Sequence, residues 1–446
     1  MLLGGWRPPL WILLAVALGA AGPTPGRADG VHEVSRSAYA DRLHGFWLGQ
    51  SIANWTGLTT EMVRVEPPFF TDADWATTVR PTIWGHFPAH SGTIDFFLLP
   101  RGKAWGADDD TDIEYMYQYL LERSDSVVLT GEAIRDGWLH HIYSNRAAPL
   151  SPNTFERENY LWVSNERALE LMERHGMIPP ATSAPGNNDL AEMIDAQLTT
   201  ELFGLLAPIR PDVALKLADL PIRVAARGDA ALIAGFYVVM HALAAAADPS
   251  LPLREQVLWL AREARATLPE GSTPAAMFDF VWAAYSASPD PGDWERVRDA
   301  VYERYQLHTN DGYTYRQGFD AGINFAASLV SLFFGEGDIR NTIRIGTLAG
   351  WDADNPTATW GGLLGFLIGR HGIETAFGRE DLSEAFWIHR TRRNFPDHTP
   401  NEIGEDRFSL MAERGVEVID RVVTQQMGGR VAGDRWLIPP AETADD

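Results

Sequence analysis

The sequence predicts an all-α protein. Apolar residues recur at helical spacing, no stretch sustains a period-two alternation, and no segment repeats at a fixed length. The spacing is plainest at Ile113, Met116, Tyr117, Leu120 and Leu121, which fall at i, i+3, i+4, i+7 and i+8. Ala168, Leu169, Leu171 and Met172 belong to another helix, which Gly176 can end by taking a left-handed conformation. Val257, Leu258 and Leu260 mark a helix stopped near Pro269, and Val416, Ile419, Val422 and Val423 mark one near the C-terminus. The alanine-rich run Ala230 to Ala247 is apolar enough for a membrane, but it contains His241 and fits a buried central helix.

Three segments read as irregular. Glu66 to Gly106 is rich in Pro, Gly, Thr and aromatics, including Trp75, Trp84 and Trp105. It is too long for a bland connection, and long loops on helical scaffolds often carry binding sites. Pro179 to Asn188 and Ser286 to Asp293 are turn-rich connectors. The expected organisation is a segment 1–28, one helical domain over 36–430, and a C-terminal tail over 431–446 that frays after Pro439.

With 446 residues, 45% hydrophobic and 11% aromatic, the chain can bury a sizeable core. A net charge of −23 repels nucleic acid and anionic membrane, so neither is expected as a partner. The absence of cysteine excludes disulfides, Fe–S clusters, thiolate zinc sites and cysteine nucleophiles.

The N-terminus reads as a secretory signal. Arg7 supplies a positive start, Leu10 to Leu18 a short apolar run, and small residues allow cleavage after Gly22 or Ala28. The run is short for a membrane span, so the alternative, an uncleaved anchor, is the weaker reading. The expected location is secreted or periplasmic, without stable membrane insertion once the signal is removed.

Two aspartate clusters carry the chemistry. The first, Asp108-Asp109-Asp110-Thr111-Asp112, directly precedes the helix over 113–121. Adjacent carboxylates repel one another, and a hard divalent cation relieves that cost with its preferred ligand. Helix capping is the competing explanation, and it accounts for one or two of these residues. The second cluster is Gly350-Trp351-Asp352-Ala353-Asp354-Asn355-Pro356, followed by TATWGGLLGFLIG. Pro356 suits a first helical turn, with Asp354 or Asn355 as cap. A helix with so many glycines and almost no charge must be deeply packed, so its start would carry carboxylates toward the interior.

With these residues assembled, the sequence resembles the ADP-ribosylglycohydrolase family, which includes dinitrogenase reductase-activating glycohydrolase. Asp41 to Glu61 (DRLHGFWLGQSIANWTGLTTE) is similar to that family's opening helix. Asp108 to Thr111 is similar to its T-D-D-T, and Gly350 to Thr359 to its G-x-D-x-D-T. Gly322 to Trp351, with Asn324 and GEGDIRNTI, resembles the approach to that last motif.

The resemblance implies an all-α orthogonal helical bundle with a binuclear site for two Mg²⁺ (or Mn²⁺) in a cleft. Metal ligands carried over by position are Asp109, Asp110, Asp352 and Asp354. Asp108 stands where the family usually has a ligand threonine, and Asn355 where it has threonine, serine or cysteine. Glu61 matches the acidic residue closing the first motif and is expected as general base, with Asp110 as its catalytic partner. Asn54, Asn324, Trp105 and Trp351 are the candidate substrate-binding residues; sugar rings stack on tryptophan, although most of the 16 tryptophans can equally be core.

The chain departs from the family pattern at Asn54, which replaces an Asp, and at Asp108. It departs again at Val224 to Asp229, where a Ser/Thr-His is expected, and Gly186-Asn187-Asn188 only faintly echoes a G-N-G phosphate contact.

The function implied is hydrolysis of a glycosidic bond at the anomeric carbon of an ADP-ribosyl or related ribosyl-type substrate. The alternatives are a secreted hydrolase acting on an extracellular glycan or nucleoside furanoside, a non-catalytic ligand-binding relative, and a structural metal-binding envelope protein. No P-loop, H-E-x-x-H or G-x-S-x-G is present, and the pair His140-His141 reads as structural or surface.

Overall fold

A computed structural model describes residues 30–78, 92–106, 108–150, 157–288, 290–308, 312–388 and 392–441. The secretory-signal expectation therefore lies outside the described residues, as do Trp84 and the last five positions. Fourteen α-helices dominate among the described residues. In chain order they are α1 (Arg36–Gly57), α2 (Asp109–Arg123), α3 (Gly131–His141), α4 (Val163–His175), α5 (Leu202–Leu205), α6 (Pro211–Ala225) and α7 (Gly228–Leu243). There follow α8 (Leu253–Arg265), α9 (Thr273–Ala287), α10 (Trp294–Val301), α11 (Ala321–Phe334), α12 (Ile339–Ala349), α13 (Asp354–Phe377) and α14 (Phe408–Gln426). The helical spacings read from sequence fall in α2, α4, α8 and α14, and Gly176 ends α4 at φ 63°.

The centre is built from α1, α7, α11 and α13. Every residue of α11 is buried, and α7 is buried along most of its length. Polar atoms on these helices are paired where they meet: Trp360 Nε1 donates to the Ser328 carbonyl at 2.8 Å, and Tyr237 Oη and Ser328 Oγ lie 2.7 Å apart. Residues 228–246 are long and apolar enough to cross a membrane, yet they pack inside this bundle.

The closest approach is between α1 and α13. A Cβ on Gly45 would stand 2.2 Å from the Gly365 carbonyl oxygen, and one on Gly49 2.3 Å from that of Gly361. In return, a Cβ on Gly361 would stand 2.6 Å from the Gly49 oxygen, and one on Gly365 2.2 Å from that of Gly45. The obstacles are backbone atoms, which cannot rotate away. Gly57, at the end of α1, meets the start of α13 in the same way, 2.4 Å from the Asp354 Cα.

Two features differ from the sequence reading. Residues 431–438, expected to begin a tail, carry most of strand β4 (Arg430–Ala432) and all of β5 (Arg435–Ile438). With β1 (His32–Ser35) they make a three-stranded antiparallel sheet in the order β1-β5-β4, which ties the two ends of the helical body together. Trp436 on β5 is fully buried and donates to Asp420 Oδ1 at 2.7 Å, the carboxylate that Arg36 also grips at 2.8 and 2.6 Å. Strands this short show no alternation to read. The second pair, β2 (Ala385–Phe386) with β3 (Asp406–Arg407), lies beside Trp105, which bridges to Phe386.

Adding a methyl where two backbones touch forces the helices apart. Gly49→Ala and Gly361→Ala are each expected to lower stability by about 1–3 kcal/mol or more. Gly30→Ala, with open space around its Cβ, should leave it unchanged. Urea unfolding midpoints compare the three; equal midpoints would contradict the packing argument.

Candidate functional site

The end of α1 delivers two polar side chains. Asn54 is buried, and its Nδ2 donates to Asp108 Oδ2 and, at 3.1 Å, to Asp354 Oδ2. Past the helix end, Glu61 is held by its own N–H on the Gly57 carbonyl, 3.2 Å away. Met62 N then donates to the Trp351 carbonyl at 2.7 Å, and Trp351 N to that of Arg64 at 2.9 Å. These two bonds fasten the chain after Glu61 to the chain before Asp352. Both residues at the seam take left-handed backbone, Met62 at φ 56° and Trp351 at φ 58°. Strain of this kind persists only where surrounding structure enforces it.

The start of α2 brings the first aspartate cluster. Asp108 is the N-cap, accepting from Thr111 N at 3.2 Å, so capping explains this residue. It does not explain Asp109, which is buried and accepts from Asn165 Nδ2 at 3.2 Å. Asp110 lies in the first turn of α2, and its side chain lies outside the described residues.

The start of α13 brings the second cluster. The sequence reading placed a cap at Asp354 or Asn355; the helix instead begins at Asp354, with Ala353 in the capping position and no side-chain cap bond. Asp352 and Asp354 are therefore free of a capping duty, and both are buried. Asp352 N donates to Asn324 Oδ1 at 3.1 Å, while Asn324 Nδ2 donates to the carbonyls of Gly318 and Asp320. Asn355 is buried and accepts from Gln197 Nε2 at 3.3 Å.

These segments meet at one open cleft, lined by Glu61, Asp108, Asp109, Asp352, Asp354 and Asn355 together with Trp162, Val163, Ile194, Asp195 and Phe319. Sequence reasoning missed Asp195, whose Oδ1 accepts from Asn165 N at 3.0 Å. A lone acid within Met193-Ile194-Asp195-Ala196 was the available signal, since a carboxylate in an apolar run needs a reason to be there.

The four candidate substrate-binding residues are all buried and none lines the cleft. Trp105 and Trp351 have no exposed surface; their Nε1 atoms donate to the Ser383 carbonyl and to Gln306 Oε1 at 2.8 and 2.7 Å. Both are core, as large apolar rings tend to be. Asn54 and Asn324 are buried behind the carboxylates, where they orient Asp354 and the Asp352 backbone rather than line the cleft.

Burial dominates the electrostatics. It pushes Asp352 up to about 7 and Asp195 up to about 6. It also holds Asp109 and Asp354 well above the ordinary carboxylate range, with repulsion from Asp108 adding at the first and from Glu61 at the second. Glu61, Asp352 and Asp354 each offer an oxygen within 4.8 Å of the others, close enough for one cation. Asp354 Oδ1 and Asn54 Oδ1 are buried without a hydrogen-bond partner among the described residues. An all-oxygen donor set with orphaned acceptors fits a hard divalent cation.

One helical turn away lies a second buried polar group. Gln50 Nε2 donates to Glu114 Oε2 at 2.8 Å and to Glu201 Oε1 at 3.3 Å, and Glu114 Oε1 accepts from Leu202 N at 2.7 Å. All three side chains are fully buried. Burial raises Glu114 to about 8 and holds Glu201 well above the ordinary carboxylate range, the Glu201 carboxyl being repelled by Glu114 and bonded by Thr359. Gln50, Glu114 and Thr359 stand four residues from Asn54, Asp110 and Asn355, so this group braces the elements that carry the site.

A family model described as ADP-ribosylglycohydrolase matches residues 35–406. A solved structure described as an ADP-ribosylglycohydrolase-related protein complex is 15% identical, with a TM-score of 0.45, over 86% of this chain and 98% of that one. No curated protein matches the chain.

The raised carboxyls predict a pH dependence. Asp195, Asp352 and Glu114 bind protons more tightly in the folded chain than at their ordinary values of 3.8 and 4.5. The stability they contribute is full below those values and is lost as pH rises through about 6, 7 and 8. The thermal midpoint of metal-free protein should therefore fall between about pH 5 and about pH 8. Glu114→Gln should flatten the upper part of that fall. A midpoint level across the range would contradict the assignment.

Proposed function

We propose a reaction for this chain from one premise: it belongs to the ADP-ribosylglycohydrolase family. The reaction is metal-dependent hydrolysis of a glycosidic bond at the anomeric carbon of a ribosyl-type sugar. The observation that carries it is the convergence of six carboxylates, from four separate stretches of chain, on one cleft. Proteins rarely bury such a set without a cation to hold.

By this reading Asp109, Asp352, Asp354 and Glu61 hold the metal, two Mg²⁺ at full occupancy. Asp108 and Asn355 stand beside them, and Asp110 joins by its place in the motif. When bound, the metal supplies Lewis acidity that orients vicinal sugar hydroxyls and makes a water more acidic. Asn54 fixes Asp108 and Asp354 relative to each other. Asn324 fixes the backbone at Asp352. Glu61 takes a proton from the attacking water as that water's oxygen bonds to the anomeric carbon; the bond to the leaving group breaks with its electron pair on the leaving atom, which takes up that proton, and the sugar departs with a hydroxyl at the anomeric carbon.

The sequence features from Arg7 to Ala28 support export, which would expose the enzyme to substrates outside the cytoplasm.

Asp352→Asn removes one charge from the cluster with little change of shape. It should lower Mg²⁺ affinity in calorimetric titration and reduce hydrolysis of a ribosyl substrate by about 100-fold or more. EDTA should abolish wild-type hydrolysis, and excess Mg²⁺ should restore it. Sugar release that survives both EDTA and Asp352→Asn would sink the proposal.

A further inference from the structure

A second recess lies apart from the cleft. It is lined by the C-terminal part of α13, the segment 101–103 and residues from 382 to 407. It offers a ligand about 370 Å³, within the range of small-molecule sites. It shares no lining residue with the cleft. Arg370 follows Asp354 along α13 by roughly four turns, about 24 Å.

The recess is cationic on an acidic chain. Arg101, Lys103, Arg370 and Arg407 line it, against Glu384 and Glu402. Glu374 adds a third carboxylate from outside the lining, accepting from Arg370 Nε at 3.1 Å. Positive charge remains in excess among these residues, in a chain whose net charge is −23. Like charges gathered in one place repel, and an anion relieves that cost.

Backbone bonds hold the cations there. Ser383 N donates to the Leu99 carbonyl and Trp105 N to that of Ala385, each at 2.8 Å, and Arg101 N to that of Asp381 at 2.7 Å. These bonds lace the segment carrying Arg101 and Lys103 onto the one carrying Glu384. Phe408 N donates to the Glu384 carbonyl at 2.9 Å and sets Arg407 beside it. Glu384 then lies between two arginines: Oε2 is 3.9 Å from Arg370 Nη1, and Oε1 is 3.9 Å from Arg407 Nη1. Both are ion pairs beyond hydrogen-bond reach. The carboxylate thus draws two guanidinium groups inward without consuming those donors. Lys103 Nζ has no partner among the described residues. Behind Glu384 lies His44, only 6% exposed, with Nε2 4.0 Å from Glu384 Oε2. Neither of these two buried atoms has a hydrogen-bond partner among the described residues. Buried polar atoms left so, beside unspent cationic donors, call for a further group.

We propose that this recess binds a phosphate group, free or carried as a monoester, with Lys103, Arg370 and Arg407 as its donors. The three come from separate stretches of chain, so they do not fork from one side. A tetrahedral oxyanion has enough oxygens to accept from all three, whereas a planar carboxylate offers two. Arg101, anchored on the Glu380 carbonyl at 2.8 Å, adds a further positive charge. The site does not depend on the hydrolysis proposed above.

The test is calorimetric titration of inorganic phosphate, glycerol phosphate and acetate into protein kept metal-free with EDTA, so that no ion in the cleft can take up the anion. Wild type is compared with Lys103→Gln and Arg370→Gln. Phosphate should bind saturably, at least about tenfold more tightly than acetate, and each substitution should weaken it by about tenfold. Affinity should fall as salt rises. Lys103→Gln breaks no contact among the described residues and should melt with the wild type, which separates lost binding from a lost fold. Glycerol phosphate binding as tightly as inorganic phosphate would support a carried phosphate, and inorganic phosphate binding alone would support the free anion. Acetate binding as tightly as phosphate, no saturable binding of either phosphate, or binding undiminished in both variants would each overturn the inference.

Discussion

Gly45, Gly49, Gly361 and Gly365 let the backbones of α1 and α13 touch, and the remainder of the site hangs from that contact. At the observed separation the one amide of Asn54 donates to Asp108 and to Asp354. The contact continues to Gly57, where a Cβ would strike the Asp354 backbone. Two helices that are poor in propensity because of their glycines are therefore held by tertiary packing, and the site lies at the end of the packed line.

A cost follows from placing carboxylates there. Each is removed from water, and burial raises their proton affinities before any mutual repulsion is counted. The chain answers with neutral amides. Asn54, Asn165, Asn324 and Gln197 each reach a residue of the cleft or its backbone, and Gln50 sits between Glu114 and Glu201 one turn below. An amide can donate to a carboxylate without cancelling its charge. That choice keeps the charge available to a cation, whereas an arginine in the same place would satisfy it within the protein. Arg392, the buried arginine whose charge is felt at Asp109, pairs with Asp112.

Much of this was legible in the sequence. The helices with a clear apolar stripe, α2 and α14 among them, are where the spacing put them, because a stripe survives only if one face is buried. The two aspartate clusters were legible for a different reason: adjacent charges announce a cost that a solvated surface has no need to incur. Where the cost was hidden, reading failed. Glu114 is one of several charged residues on a helix, and Glu201 follows two threonines; nothing local says that both are fully buried. The capping position before α13 fell one residue earlier than the sequence suggests, since Pro356 is tolerated anywhere in the first turn and does not fix which residue precedes it. The residues after 430 have too few positions per strand to alternate visibly, so their pairing with β1 had no sequence signature.

Tryptophan shows the limit most sharply. Trp351 adjoins a candidate metal-ligating aspartate in sequence, yet its ring is fully buried in the core, on a residue with left-handed backbone. Trp162 adjoins no charged motif, yet its ring lines the cleft. Sequence proximity tells which backbone segments meet; it does not tell which way a side chain leaves the backbone. That direction is set by φ and ψ, and at Trp351 and around Trp162 these take values a local reading would never assign to Trp, Tyr or Val. The strained residues are therefore where the sequence is least informative and where the structure adds most. Each is enforced by contacts distant in the chain: Trp351 by Met62 and Arg64, and the Trp162 segment by Asn159 with Tyr143 and Arg392.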